Sequence, residues 1–186
     1  LEIVPVQNWS RESWLDDTSI SWINPSPNMR SLTQAALYPG IGLLEMTALS
    51  VGRGTSTPFE VIGAPYIDAN KLASEINQLN LAGLVVTPVH YTPTASVFAQ
   101  TLCHGLRFNM TDRKAFRPIA LGLNLARILH RDYPEKFDIS KVNRLLINSK
   151  SIEQLRQGNA YSELEAAWTP ALQQFLARRA PHLIYL

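Results

Sequence analysis

Two glutamates, Glu45 and Glu60, bracket the segment Gly52-Arg53-Gly54-Thr55-Ser56-Thr57-Pro58-Phe59. A pair of carboxyl groups is the minimum kit for most glycoside hydrolysis, one protonating the leaving oxygen and the other acting as base or nucleophile. Between them, a glycine-flanked Arg53 followed by hydroxyls, Thr55 first, suits an anion held by backbone N–H groups and a guanidinium together. The same residues also suit a glycine-rich turn whose Arg53 pairs with a nearby acid. Upstream, Asn24-Pro25-Ser26-Pro27-Asn28-Met29 combines two prolines that fix the backbone with the amide and hydroxyl groups of Asn24, Ser26 and Asn28. Such a loop fits sugar hydroxyls, which need both donors and acceptors. It fits a helix lead-in equally well, with Asn28 or Ser31 as the cap. Downstream, His90-Tyr91-Thr92-Pro93-Thr94 follows an expected strand, the place where α/β folds put ligand sites, or simply a polar strand exit. Thr111-Asp112-Arg113 and Arg117-Pro118 read as a strand end and helix entry in which Asp112 pairs with Arg113 or Arg117.

Other chemistries lack their motifs. There is no Gly-Lys-Ser/Thr phosphate loop, no dinucleotide fingerprint and no Gly-x-Ser-x-Gly nucleophile elbow. The single cysteine, Cys103, excludes an internal disulfide and reads as a small buried side chain. Cys103 and His104 are adjacent, and His90, His130 and His182 show no paired spacing, so no metal site is expected. Net charge is only +2 with basic residues scattered among acids, which argues against nucleic acid as the main partner. No apolar run approaches the roughly 20 residues that span a membrane.

The elements that must position these residues read as a mixed α/β or α+β fold, with a small mixed sheet, flanking helices, a loop-rich first part and a helical last third. Helices are expected after Asp68 (Leu72, Ala73, Ile76, Leu79) and from Pro118 (Leu121, Leu125, Ile128, Leu129), stopping before Pro134. A short helix is expected at 151–156, ending at Gly158. A third long stripe runs through Leu164, Trp168, Leu172, Phe175 and Leu176, where Pro170 must kink or restart the helix with Thr169 as cap. Strands are expected at 2–6, 84–88, 106–110 and 182–186. The stretch from Trp22 to Tyr66 fits neither period and holds five prolines, and long irregular stretches of this kind are often functional.

The combined string is more specific than its parts. Trp22-Ile23-Asn24-Pro25-Ser26-Pro27-Asn28-Met29, Tyr38-Pro39-Gly40, Leu44-Glu45, Gly52-Arg53-Gly54-Thr55, Pro58-Phe59-Glu60, Gly63-Ala64-Pro65, Thr92-Pro93-Thr94, Thr111-Asp112-Arg113 and Phe116-Arg117-Pro118 occur in this order. The series resembles the exo-β-N-acetylmuramidases, long catalogued as a domain of unknown function, and the resemblance runs to the closing Leu183-Ile184-Tyr185. It implies a hydrolase that needs no cofactor and removes N-acetylmuramic acid from the non-reducing ends of peptidoglycan fragments. It also implies a two-part protein. Residues 1–186 would be one C-terminal domain, sharing a cleft with a Rossmann-like N-terminal half that carries the catalytic glutamate in a Pro-Glu-His-Gly motif. That motif does not occur here, and the chain opens at Leu1 inside an expected strand, as a fragment would. The main acid is therefore expected outside this chain, with Glu45 and Glu60 as the internal candidates. Asn24, Ser26, Asn28, Arg53, Thr55, Glu60 and Thr92 are expected to face substrate, Arg53 meeting the lactyl carboxylate. The expected partners are muramyl glycans and the N-terminal half, in a periplasmic or secreted setting. Met46, Ala48, Val51 and Tyr66 depart from the family's usual glycine, asparagine, acidic residue and tryptophan.

Two other classes fit the same residues. A glycan-binding module without catalysis would use exposed aromatics such as Trp9, Trp14 and Trp22 to stack on sugar rings. A structural half would support its neighbour and bind nothing.

Overall fold

Helix α1, Leu32–Ile41, begins where Ser31 Oγ accepts a hydrogen bond from the backbone N–H of Gln34 at 3.2 Å, so Ser31 rather than Asn28 is the cap. It leads into a 3₁₀ turn, Gly42–Leu44, that ends at Glu45. The computed structural model describes residues 1–185. After a loop come strand β1, Val61–Ala64, and helix α2, Ala69–Gln78, capped by Asp68 Oδ1 on Lys71 N–H. Strands β2, Leu84–Tyr91, and β3, Cys103–Met110, follow, then helix α3, Pro118–Asp132, with Pro118 in its first turn. The chain closes through the short α4 (Asn143–Leu146), α5 (Ser149–Arg156) and the long α6 (Tyr161–Arg179).

The fold is mixed α/β, as the pattern of periods indicates. Its sheet has the order β1-β3-β2 and is wholly antiparallel, not of mixed direction. The reason is local: β2 returns directly into β3 through a loop, a connection that only an antiparallel pair accepts. Val61↔Arg107 and Leu84↔Met110 set the registers. The outer edge of β2 is not left open. Asn77 of α2 donates to Val86 O at 2.9 Å and accepts from Val86 N at 3.0 Å, occupying a stretch of backbone that would otherwise invite another strand.

Leu37, Ile41 and Leu44 from the α1 region join Leu106 of the sheet and Leu121, Leu125 and Leu129 of α3 in one apolar core. Each fully buried leucine or isoleucine contributes about 1.5–3 kcal/mol. The seat of α1 on α3 depends on two glycines. A Cβ on Gly40 would lie 1.9 Å from Pro118 O, and one on Gly122 would lie 2.4 Å from Gly40 O. Tyr38-Pro39-Gly40 thus has a packing explanation: the backbones of the two helices touch.

Three expectations change. Residues 2–6 form no strand, and they are exposed; Val6 N–H instead donates to the Tyr185 hydroxyl at 2.6 Å. The closing stretch is not a strand over its described part, with 180–182 forming a 3₁₀ turn, and Leu186 lies outside the described residues. Pro170 does not restart α6, which runs continuously through it. Thr169 donates to Glu165 O at 2.7 Å, a back-bond one turn up rather than a cap. Of the α6 stripe only Leu164 is buried, while Leu172 and Phe175 stand nearly half exposed.

Candidate functional site

Glu45 sits just beyond the 3₁₀ turn that extends α1, and its Oε1 lies 2.6 Å from Arg53 Nε. Its side chain is only 10% exposed, while that of Arg53 is 36% exposed. The guanidinium also lies over the Phe59 ring, 5.2 Å from its centroid. One carboxylate and one aromatic face therefore hold the arginine from behind. Its two Nη groups have no hydrogen-bond partner among the described residues, leaving a planar fork for a bidentate anion. The pair lines a cleft of about 250 Å³ with Met46, Leu49, Val51, Ser96 and Val97.

The walls of this cleft come from two loops that fit each other closely. Thr94 sends both its N–H, at 2.9 Å, and its hydroxyl, at 2.8 Å, to Gly54 O. Gly54 adopts φ +78, and a Cβ there would meet Ala95 N at 2.4 Å, so only glycine lets the loops close. Of seven non-glycine residues with positive φ among those described, four lie here: Phe59, Ser96, Phe98 and Gln100. Such conformations cost of order 1–3 kcal/mol each and persist where surrounding structure enforces them, commonly at binding sites.

Glu60 does not join Glu45. Its Oε1 accepts from Gln34 Nε2 at 2.9 Å and lies 3.5 Å from Ser31 Oγ, at the start of α1. Gln34 Oε1 in turn accepts from Arg30 N–H at 2.6 Å. From Gln34 to Glu45 the backbone rise along the helix is roughly 17 Å, against the 5–9.5 Å between the carboxyl groups of two cooperating glycosidase carboxylates. The two glutamates are thus anchored at opposite ends of one helix.

The remaining candidates divide between the cleft and other places. Thr55 closes its own turn, donating to Gly52 O at 2.7 Å and accepting from Thr57 N–H at 3.1 Å. Thr92 is exposed at the exit of β2, two residues before the Thr94 anchor. Asn24 accepts from Trp22 Nε1 at 3.0 Å, and Ser26 Oγ lies 3.3 Å from Asn28 N, so these residues build a tight turn ahead of α1. Trp14 is covered by Arg113, 4.6 Å from its centroid, and Trp9 packs edge-on to Tyr185. Arg113 binds Asp16 and Asp17, 96 or more positions away, whereas Asp112 caps the N–H groups of Lys114 and Ala115, and Arg117 donates to backbone carbonyls; the expected pairing of Asp112 with either arginine does not form.

Several contributors have no signal in the sequence. Ser96 and Val97 line the cleft, and beside it Tyr66 donates to Ala48 O at 2.7 Å in a cavity of about 410 Å³ with Pro65, Phe98 and Lys136. Burial, reinforced by Tyr133, pushes the Tyr66 phenol above its usual range, so it acts as a neutral donor. Burial likewise pushes the Cys103 thiol up, consistent with a fully buried, unreactive side chain.

The family model described as "Exo-beta-N-acetylmuramidase NamZ, C-terminal" matches residues 36–185, and its N-terminal counterpart matches residues 1–33. A Bacillus subtilis (strain 168) protein described as peptidoglycan beta-N-acetylmuramidase NamZ is 36% identical over 188 residues, covering 100% of this chain and 45% of that protein. Two crystal structures of DUF1343 family proteins from Bacteroides fragilis NCTC 9343 share the fold. One has a TM-score of 0.74 at 22% identity, over 96% of this chain and 49% of that one. The other has a TM-score of 0.63 at 25% identity, over 87% and 43%. The chain spans about half the length of each relative it matches.

Proposed function

The chain belongs to the exo-beta-N-acetylmuramidase NamZ family, a family of glycoside hydrolases, and from that premise we propose that it supplies the anion-reading wall of a cleft that removes N-acetylmuramic acid from the non-reducing ends of peptidoglycan fragments. The observation that carries this reading is the Glu45–Arg53 contact of 2.6 Å, which leaves the arginine fork unpaired at the mouth of the cleft. N-acetylmuramic acid differs from N-acetylglucosamine by a lactyl ether bearing a carboxylate. A bidentate guanidinium contact to that group is worth about 1.5–3 kcal/mol, enough to separate the two sugars by tenfold or more. Glu45 acts as the positioning residue and Arg53 as the binding residue. Ser96 and the Thr94 anchor hold the opposite wall.

With Glu60 committed to Gln34, no carboxylate other than Glu45 is found in the cleft lining among the described residues. The proposal therefore assigns the proton-transferring acid to an N-terminal region of the same enzyme, and the cleft to the junction of the two. An exported or periplasmic setting follows from where such a substrate lies. The test is release of a chromophore from a β-N-acetylmuramic acid glycoside by this chain alone, then with a separately produced N-terminal region of the family. Release only in the mixture supports the shared cleft. Release by the chain alone would move the acid onto Glu45. Silence in both, with both parts folded, counts against the muramidase reading.

A further inference from the structure

His90 and His104 are fourteen positions apart, and the antiparallel register of β2 and β3 makes them direct partners. Their Nδ1 atoms lie 2.7 Å apart, and their rings meet edge to face at 4.7 Å between centroids. They stand on the same face of the sheet as Val86 and Phe108, beside the first turn of α2. There they line an open cavity of about 470 Å³ with Tyr66, Asp68 and Tyr133. Asp68 Oδ1 caps α2, and its other carboxylate oxygen has no hydrogen-bond partner among the described residues.

A contact this short between two ring nitrogens requires one to carry the proton and the other to present its lone pair. If the donor ring moves its proton through solvent to its own Nε2 and the two rings turn away from their mutual contact, both Nδ1 lone pairs can be aimed at one point in the cavity. Two nitrogens each 2.0–2.1 Å from a metal and at right angles around it stand about 2.9 Å apart; at tetrahedral angles they stand about 3.3 Å apart. The observed 2.7 Å is nearer the right-angled case, which is the preference of Cu²⁺ and Ni²⁺ with nitrogen and oxygen ligands. We infer that His90 and His104 form a two-imidazole chelate for a divalent transition metal of tetragonal preference, Cu²⁺ ahead of Ni²⁺ and Zn²⁺, with water completing the shell. No group of three or more His, Cys, Asp or Glu among the described residues is arranged as a metal cluster, so the site depends on these two rings. The Asp68 carboxylate on the cavity wall offsets part of the added charge. Because the pair faces the cavity of Tyr66 and Tyr133, a bound metal would occupy that cavity without using any residue that lines the candidate glycan cleft.

The test is titration of the chain with Cu²⁺ and with Zn²⁺ at pH 7.5 by calorimetry, joined to paramagnetic resonance of the copper form. The expected result is one saturable Cu²⁺ site with a Kd of about 10 µM or tighter, a spectrum showing two equatorial nitrogens, and weaker Zn²⁺ binding. His90→Ala and His104→Ala, each checked for retained fold by circular dichroism, are expected to weaken Cu²⁺ at least tenfold, and His182→Ala to change nothing. Equal Cu²⁺ binding in the parent and both variants, a one-nitrogen spectrum, or Zn²⁺ binding tighter than Cu²⁺ would each overturn the assignment.

Discussion

A glutamate stands near each end of helix α1, and the two have opposite surroundings. At the helix start, Glu60 meets the neutral Gln34 amide and Ser31 hydroxyl, and among the described residues no cation pairs with it. Beyond its other end, Glu45 meets Arg53, whose remaining donors face an open cleft. The first arrangement consumes its hydrogen bonds internally and fixes how the chain enters the helix. The second leaves a charged fork exposed to an incoming anion. The same side-chain type thus serves as a latch at one end and as a mount at the other, and the spacing is set by the seat of α1 on α3.

The largest way to break this comparison is to unseat the helix. Gly40→Ala drives a Cβ into Pro118 O, a backbone atom with nowhere to go, and is expected to destabilise the fold by about 3 kcal/mol. In thermal unfolding that is a fall in Tm of roughly 6–12 °C. Next comes the mount. Gly54→Ala forces a side chain into positive φ and onto Ala95 N, at a cost of about 1–3 kcal/mol, and separates the two cleft loops. Its signature is loss of N-acetylmuramic acid affinity greater than the accompanying loss of stability. At the latch, Glu60→Ala leaves Nε2 of the buried Gln34 without its acceptor and is expected to cost about 1–2 kcal/mol with sugar affinity unchanged, read by paired denaturant and binding curves.

The smallest effect lies away from both ends, between α2 and α3. Arg131, and then Lys71, hold the Asp132 carboxyl below the ordinary carboxylate range. A depressed folded value means the stabilisation is complete above the unfolded value of about 3.9 and is lost as pH falls through the folded one. Asp132→Asn should flatten the acid limb of stability below pH 4 and leave the cleft unaffected, which equilibrium unfolding at several pH values would show.

Much of the scaffold was legible because its boundaries are written in single residues. Asp68, Pro118 and Gly158 start or stop helices by side-chain capping, fixed φ or positive φ, and α2, α3 and the end of α5 fall where those residues put them, whereas the start of α5 is set by Asn148, which the expected 151–156 helix did not include. β1 was not legible: four residues, Val-Ile-Gly-Ala, are too few to show a period, and all four are buried, so no alternation exists to read. The 2–6 segment misled for the opposite reason, having strand composition and no strand beside it. At the site, glycine-flanked Arg53 was legible as a candidate to meet an anion, and its pairing with an acid, which the structure shows to be Glu45, could be anticipated without knowing which one. What decides the roles of Glu45 and Glu60 is the direction in which residues 53–60 run along α1, from Arg53 at Glu45 through Phe59 against Tyr38 to Glu60 at Gln34. That is tertiary information. The meeting of His90 with His104 depends on strand register and is invisible to a spacing argument for the same reason.

The most direct test of the account is the ratio of affinities for N-acetylmuramic acid and N-acetylglucosamine, measured by titration of the assembled cleft carrying the parent chain, Arg53→Gln or Glu60→Gln. The account predicts a ratio of at least tenfold in the parent and in Glu60→Gln, collapsing toward unity in Arg53→Gln through weaker binding of the acid alone. An unchanged ratio in Arg53→Gln, or a collapse in Glu60→Gln with Arg53 intact, would contradict it.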